Sequence, residues 1–348
     1  MKTTIKDVAR LAGVSTATVS LVMNNKLNIS EKTKKKVLNA VRQLQYEPNV
    51  MARNLVKQKT NTILLCAFIG QQGEDSLFYP WLLYSMLNAF SKHDFFLQVV
   101  VKGDLMNPNS ISVREELNKI ARKKLFDGIL VLSHWPLHYS EVSDLVNDNF
   151  PFVVVGQKID SEKVSYIDID HYEGALKAMQ YIFNKGRKKV AHIRGPLGQK
   201  EAEERFRAYI DSCINEKIEI NKKFIVTGNY RWWTGYQGAQ KIFQHKEKPD
   251  ALFASNDEMA LGALSFFKEN NVRIPEDVLV VGFDGIAAIQ YSNPPLPSVR
   301  QPLDKLAEMA ANALFMKVHN NAIIQETIQC ELVENWQCEF NKLKNLTF

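Results

Sequence analysis

Cysteine is scarce, with Cys66, Cys213, Cys330 and Cys338 spread through 348 residues. None stand at the CxxC or similar spacings from which zinc sites and disulfide frameworks are built, so buried thiols are the expectation. Long apolar runs are missing too. None approaches the roughly 20 residues that span a bilayer, and the opening segment is charged and amphipathic without the apolar centre of a secretion signal. No low-complexity tract occurs. Together these absences exclude a disulfide-stapled domain and a membrane protein, and lead us to expect a cytoplasmic chain with a large core. Catalytic signatures are equally thin. GPLGQK (195–200) lacks the spacing and final Ser or Thr of a phosphate loop, which leaves a kinase or NTPase with weak support. His134 and His138 are four apart, but Pro136 between them argues against a helical metal pair. No catalytic residue, metal or cofactor is assigned, and Asp257 reads as part of a helix cap.

What is present is a lopsided charge. Residues 1–60 hold twelve Lys or Arg against three Asp or Glu, while the remainder holds 32 against 35. A basic module on a near-neutral body is the electrostatic footprint of a phosphate-binding domain. Lys34, Lys35 and Lys36 fall on successive helix positions and cannot all face one partner.

Within that module, TIKDVARLAGVSTATVSLVMN (4–24) has the pattern of two short helices and a tight turn. Thr4 with Asp7 three positions on forms a capping box, Val8, Ala9 and Leu11 supply an apolar face, and Gly13 permits the turn. Ser15 caps a second helix whose solvent side carries Thr16, Ala17 and Ser20, the shape of a helix-turn-helix DNA reader. A third helix follows Ser30, with Val37, Leu38, Val41 and Leu44 on one stripe and Tyr46 as a plug. Pro48 and Asn49 end it. NVMARNLV (49–56) is too short to be helical alone in water and should order only when held.

From Asn61 the pattern changes to short apolar runs alternating with amphipathic segments, which predicts an α/β body. Strands are expected at 62–69, 95–101, 128–132, 151–156, 189–195, 224–228, 250–255 and 278–283. About 288 residues are too many for one open sheet of ordinary size, so two similar lobes are expected.

These segments carry a resemblance that runs nearly end to end. TIKDVARLAGVSTATVS, YEPNVMARNL, GRKKVAHIRGP, AEERFRAY, PDALFASNDEMALGAL, IPEDVLVVGFDG and PPLPSVRQP fall in the order found in the lactose-repressor (LacI/GalR) family of bacterial transcription regulators, which the chain resembles. The resemblance implies an all-α helix-turn-helix headpiece (1–47), a hinge helix and linker (48–60), and an α/β two-lobed periplasmic-binding-protein-like effector domain (61–340), followed by a tail (341–348). The lobes would comprise 61–160 with 291–322, and 161–290 with 323–340. It also implies a repressor that binds a pseudo-palindromic double-stranded DNA operator as a homodimer. DNA contacts would come from Thr4, Ser15, Thr16, Ala17, Ser20, Leu21 and Asn24 in the headpiece, and from Asn49, Ala52, Arg53 and Leu55 in the hinge, with Leu55 as a minor-groove wedge. The tail EFNKLKNLTF has no heptads, so a tetramer is not expected.

Two departures from the family pattern matter. Leu21 stands where most members carry an arginine able to bond a guanine, so it meets a thymine methyl, reads no base, or packs on the headpiece. Gly156 and Gln157 stand where many relatives place an aspartate, which removes one expected carboxylate from the ligand site. The resemblance places effector contacts on Arg205, Asn256 and Asp284. Phe78, Tyr79, Trp81, Trp135, Tyr230, Trp232 and Trp233 lie near segments that line the family's cleft. Stacking aromatics with such polar groups suit a sugar, and Phe78, Trp135 and Tyr230 are the aromatic contacts assigned. Some relatives answer also to a phosphorylated carrier protein, a partner the sequence neither identifies nor excludes. The competing expectation is a solute-binding or sugar-processing protein that uses the same two lobes without a regulatory role.

Overall fold

Among the described residues of the first part of the chain there are three helices, each opened by a side chain that meets free amides. Residues 3–23, 29–46, 60–69, 76–93, 95–102 and 112–334 are described by this computed structural model. They fall in two units, Met1–Thr60 and Asn61–Phe348. Helix α1 (Ile5–Ala12) opens on the predicted capping box, in which the Thr4 amide and hydroxyl donate to the Asp7 carboxylate at 3.0 and 2.7 Å. Gly13 closes it at φ 64°, a left-handed conformation that glycine adopts without steric cost. Helix α2 (Thr16–Met23) starts where Ser15 Oγ accepts the Thr18 amide, and α3 (Glu31–Gln43) where Ser30 Oγ accepts that of Thr33. Val8, Ala9, Ala12, Val19, Val22, Val37 and Ala40 are buried between them, with Leu44 and Tyr46 packed against that core. Leu11 corrects its expectation. It is 48% exposed, because residues 8, 9 and 12 make the inward stripe and position 11 lies at its flank.

The second unit is built on two sheets. Its elements run β1 (Thr62–Phe68), α4 (Phe78–Ser91), β2 (Phe96–Lys102), α5 (Val113–Arg122), β3 (Gly128–Ser133), α6 (Tyr139–Asn147), β4 (Phe152–Val155), β5 (Tyr166–Asp170) and α7 (His171–Asn184). There follow β6 (Val190–Arg194), α8 (Lys200–Asn215), β7 (Ile225–Thr227), α9 (Trp232–Phe243), β8 (Ala251–Ala254), α10 (Asp257–Glu269) and β9 (Leu279–Asp284). The chain then adds β10 (Ser298–Arg300), α11 (Leu303–Asn320), β11 (Gln325–Gln329) and β12 (Glu331–Val333).

The first sheet is ordered β11-β5-β4-β3-β1-β2 with all pairs parallel, and the second β12-β10-β9-β8-β6-β7 with an antiparallel pair at β12 and β10. All eight expected apolar runs are strands; six of them are buried along nearly their whole length, as suits parallel sheets covered by helices, while the edge strands β2 and β7 are not. Four strands were not anticipated. β10 and β12 have three residues each, β11 is mostly exposed, and β5 alternates apolar residues with aspartates. Their pairing moves the lobe boundaries expected above. β5 at 166–170 and β11 at 325–329 complete the first sheet, whereas β10 at 298–300 joins the second, so the chain crosses after β5, after β10 and again between β11 and β12.

One packing feature fixes the cleft side of the second lobe. A Cβ on Gly235 would fall 2.1 Å from the Met259 carbonyl oxygen, and one on Gly262 2.0 Å from that of Trp232. Helices α9 and α10 therefore cross with their backbones in contact, which only glycine allows. Gly262→Ala should force them apart at a cost of about 1–3 kcal/mol or more, lowering the thermal transition by several degrees. An unchanged transition would show that the helices do not meet this closely.

Candidate functional site

Between the lobes lies a cleft lined by side chains from both. Its floor is set by a buried cation. Arg205, on α8, is 3% exposed. Its guanidinium donates to the Ser255 carbonyl at 2.5 Å, lies 3.2 Å from His171 Nδ1, and sits 3.5 Å from the Asp284 carboxylate. It also stacks 3.8 Å above the Phe283 ring. The His171 imidazole is pushed well below its ordinary range by burial and by Arg205, which keeps it neutral and able to accept.

Asp284 ends β9 at φ 114°, in the left-handed region, which turns its carboxyl into the cleft. It accepts from Gln301 Nε2 at 2.7 Å. Burial pushes it up to about 7 against the pull of Arg205 and Gln301. Asp257 is likewise raised by burial and by Asp284. Asp257 does not cap its helix as the sequence suggests. Asn256 does, accepting the Met259 amide, while Asp257 accepts the Ile286 amide at 2.8 Å and the Ser298 hydroxyl at 2.6 Å. Asn256 also donates to the Tyr230 carbonyl at 3.0 Å and so holds that tyrosine at φ 68°.

The first lobe supplies the facing wall: Phe78 and Tyr79 from the first turn of α4, Leu132 and His134 from the end of β3, and Gly156 after β4. His134 Nδ1 lies 2.9 Å from the Glu201 carboxylate of the opposite lobe, and its Nε2 meets the Tyr79 hydroxyl. Burial favours a proton on Glu201, yet the His134 bond and nearby Arg205 hold it below the usual carboxylate range.

Of the six effector contacts expected, Phe78, Arg205, Tyr230, Asn256 and Asp284 line this cleft. Trp135 does not; it packs at Gly198 outside the lining. Trp232 and Trp233 are 44% and 47% exposed, Trp232 stacking on Tyr236, and Trp81 packs half-buried on the core. A tryptophan near a cleft-forming segment has several faces to choose from, and spacing alone does not say which one it takes. Gln157, in place of a carboxylate, is buried and braces the loop behind His134 by bonding Ser133, Trp135 and Leu137. Sequence reasoning missed His171, Glu201 and Gln301, whose partners lie 34 or more, 67 and 17 residues away.

In the first unit, Thr4, Ser15, Thr16, Ala17, Ser20 and Leu21 are exposed. Leu21 is 47% exposed and outside the headpiece core, so it is not a packing residue. Asn24, Asn49, Ala52, Arg53 and Leu55 lie outside the described residues.

Comparison with known proteins accounts for both units. The family described as bacterial regulatory proteins, lacI family, matches residues 4–49, and the periplasmic binding protein-like domain matches residues 179–334. The chain is 33% identical over 312 residues, 90% of each protein, to the probable HTH-type transcriptional repressor ExuR of Bacillus subtilis (strain 168). The chain belongs to the LacI family. This LacI-family chain is also 33% identical over 316 residues to the HTH-type transcriptional repressor PurR of Vibrio atlanticus (strain LGP32), covering 90% of this chain and 92% of that protein. These relatives are transcriptional repressors and not enzymes. Among solved structures, a complex of the transcriptional regulator CelR with cellobiose aligns with TM-score 0.68 at 26% identity over 95% of this chain and 98% of that one. The Lac repressor bound to ONPG in its repressed state aligns with TM-score 0.79 over 96% and 99% at 22% identity, a likeness of fold.

Asp284 gives the LacI-family body a pH signature. The folded protein holds a proton on this carboxyl up to about pH 7, whereas the unfolded chain releases it near pH 4. The share of folded stability due to Asp284 should therefore fall as pH rises through that window, while the buried neutral His171 contributes in the opposite sense. In a thermal-unfolding series from pH 5 to 7.5, Asp284→Asn should change the slope of stability against pH toward less loss, or more gain, with rising pH, and an unchanged slope would show that Asp284 does not carry it.

Proposed function

We propose that the chain is a transcriptional repressor whose hold on its operator is set by a sugar bound between the lobes. The observation that carries this is the pairing of the Arg205 guanidinium with the Asp284 carboxyl on a floor flanked by Phe78, Tyr79 and Tyr230. A guanidinium fork and a carboxyl each bond neighbouring hydroxyls, and aromatic rings cover the apolar faces of a pyranose. The cellobiose held by CelR supports the same ligand class.

On the DNA side, the exposed face of α2, with Thr16, Ala17, Ser20 and Leu21, enters the major groove, while the segment with Asn49, Ala52, Arg53 and Leu55 reads the minor groove. Such a protein works in the cytoplasm, where the chromosome is. Two copies bind one pseudo-palindromic site. A homodimer is supported by Tyr84 and Leu87 on α4 and by Phe96 and Val101 on the edge strand β2, large apolar side chains left 45–70% exposed in a single chain. The sugar shifts operator affinity only through its different affinities for the two lobe arrangements, so both release and recruitment are consistent with the cleft.

Three measurements test this reading. A thermal-unfolding panel of mono- and disaccharides, their phosphates and purines should return a sugar that raises the body's transition by several degrees at about one hundred times its dissociation constant. The same sugar should alter operator affinity in fluorescence anisotropy; tight purine binding without a sugar response would overturn it. Selection of operators from a random library should show Leu21→Arg shifting the preference at one position per half-site toward guanine, with about 1–3 kcal/mol of discrimination. An unchanged preference would remove residue 21 from the reading face.

A further inference from the structure

Helix α4 begins without a capping side chain at its N-cap position, Leu77, and no acidic residue stands in its first turn. The amides there point at whatever approaches the positive end of the helix. What approaches comes from the other lobe. Glu258, the second residue of α10 and 7% exposed, accepts the Leu77 amide at 2.8 Å and the Ser76 hydroxyl at 3.1 Å through Oε1. Ser76 Oγ in turn accepts the Phe78 amide at 3.1 Å, so the carboxylate, the serine and the first turn form one chain of bonds across the cleft.

The residues held by this contact are Phe78 and Tyr79, the aromatic wall of the site, and Tyr79 leads on to His134 and Glu201. Lys200 makes another tie between the lobes, 2.5 Å from Asp168 of β5. That tie joins side chains only, whereas the Glu258 contact completes a helix terminus.

We infer that Glu258 is a positioning residue for the effector site: it caps α4 from the opposite lobe, and so couples lobe closure to the placement of Phe78 and Tyr79 over the ligand. This rests on the reading of the cleft as the effector site. A lobe that swings away uncaps the helix, and a ligand that closes the lobes restores the cap.

The test uses the full chain with spin labels at Lys119→Cys on α5 and Lys241→Cys on α9, both exposed, and with Cys338→Ser; Cys66, Cys213 and Cys330 are buried. Distances are measured by electron double resonance without any effector. The otherwise unaltered protein should show a predominant short distance. Glu258→Asp keeps the charge at the start of α10 but is one methylene too short to reach, and it should lower the ratio of closed to open molecules at least about tenfold, as should Glu258→Ala. Glu258→Gln retains an oxygen that accepts both bonds and should restore most of the short population. A residue that merely stabilised α10 would lower the melting temperature in the Ala variant without moving the distances. The inference is overturned if the Asp and Ala variants keep the unaltered distribution, if Gln opens as far as Ala, or if the unaltered protein already shows the long distance. Because no effector is added, failure here leaves the sugar reading standing, and an unresponsive ligand panel leaves this contact standing.

Discussion

Burying one guanidinium organises the body of this protein. Removing a cation from water is costly unless its charge is balanced and its donors are bonded. Arg205 meets most of that demand, its Nε alone lacking a partner among the described residues, by drawing on separate elements: the end of β8 through the Ser255 carbonyl, the start of α7 through His171, and the end of β9 through Asp284 and the Phe283 ring. The balance is partial by design of the surroundings, since burial lifts Asp284 to about 7 and leaves a carboxyl that can donate as well as accept near neutral pH.

Such a floor suits a ligand rich in hydroxyls. The facing wall is aromatic and comes from the other lobe, so a molecule in the cleft is gripped by both. The lobes already touch through Glu258, His134 with Glu201, and Lys200 with Asp168. A ligand in the cleft would shift the lobes toward this arrangement only by what it adds to it beyond these contacts.

Local order was legible in the sequence because local chemistry sets it. Thr4 with Asp7, Ser15 and Ser30 start the headpiece helices where their side chains meet free amides, and Gly13 turns the chain where a left-handed residue is required. Eight strands, six of them buried, are legible as apolar runs. β5, β10, β11 and β12 are not, since short or polar edge strands are specified by the neighbour they pair with and not by their own composition. That is why the lobe boundaries were drawn in the wrong places. In the cleft, Arg205, Asn256 and Asp284 were carried by motif, whereas His171, Glu201 and Gln301 act through partners distant in sequence. Trp135, Trp232 and Trp233 were drawn toward the site only by proximity along the chain, which does not fix the face on which a side chain emerges.

The central claim is that Arg205 and Asp284 form the floor on which a sugar effector is read. A crystal structure of the full chain with a saccharide that raises its thermal transition tests this directly. The account predicts that neighbouring hydroxyls of the sugar bond the Arg205 guanidinium and the Asp284 carboxyl, with Phe78, Tyr79 or Tyr230 against the ring. A saccharide bound elsewhere, with the Arg205 and Asp284 pair untouched and the cleft filled by water, would contradict it.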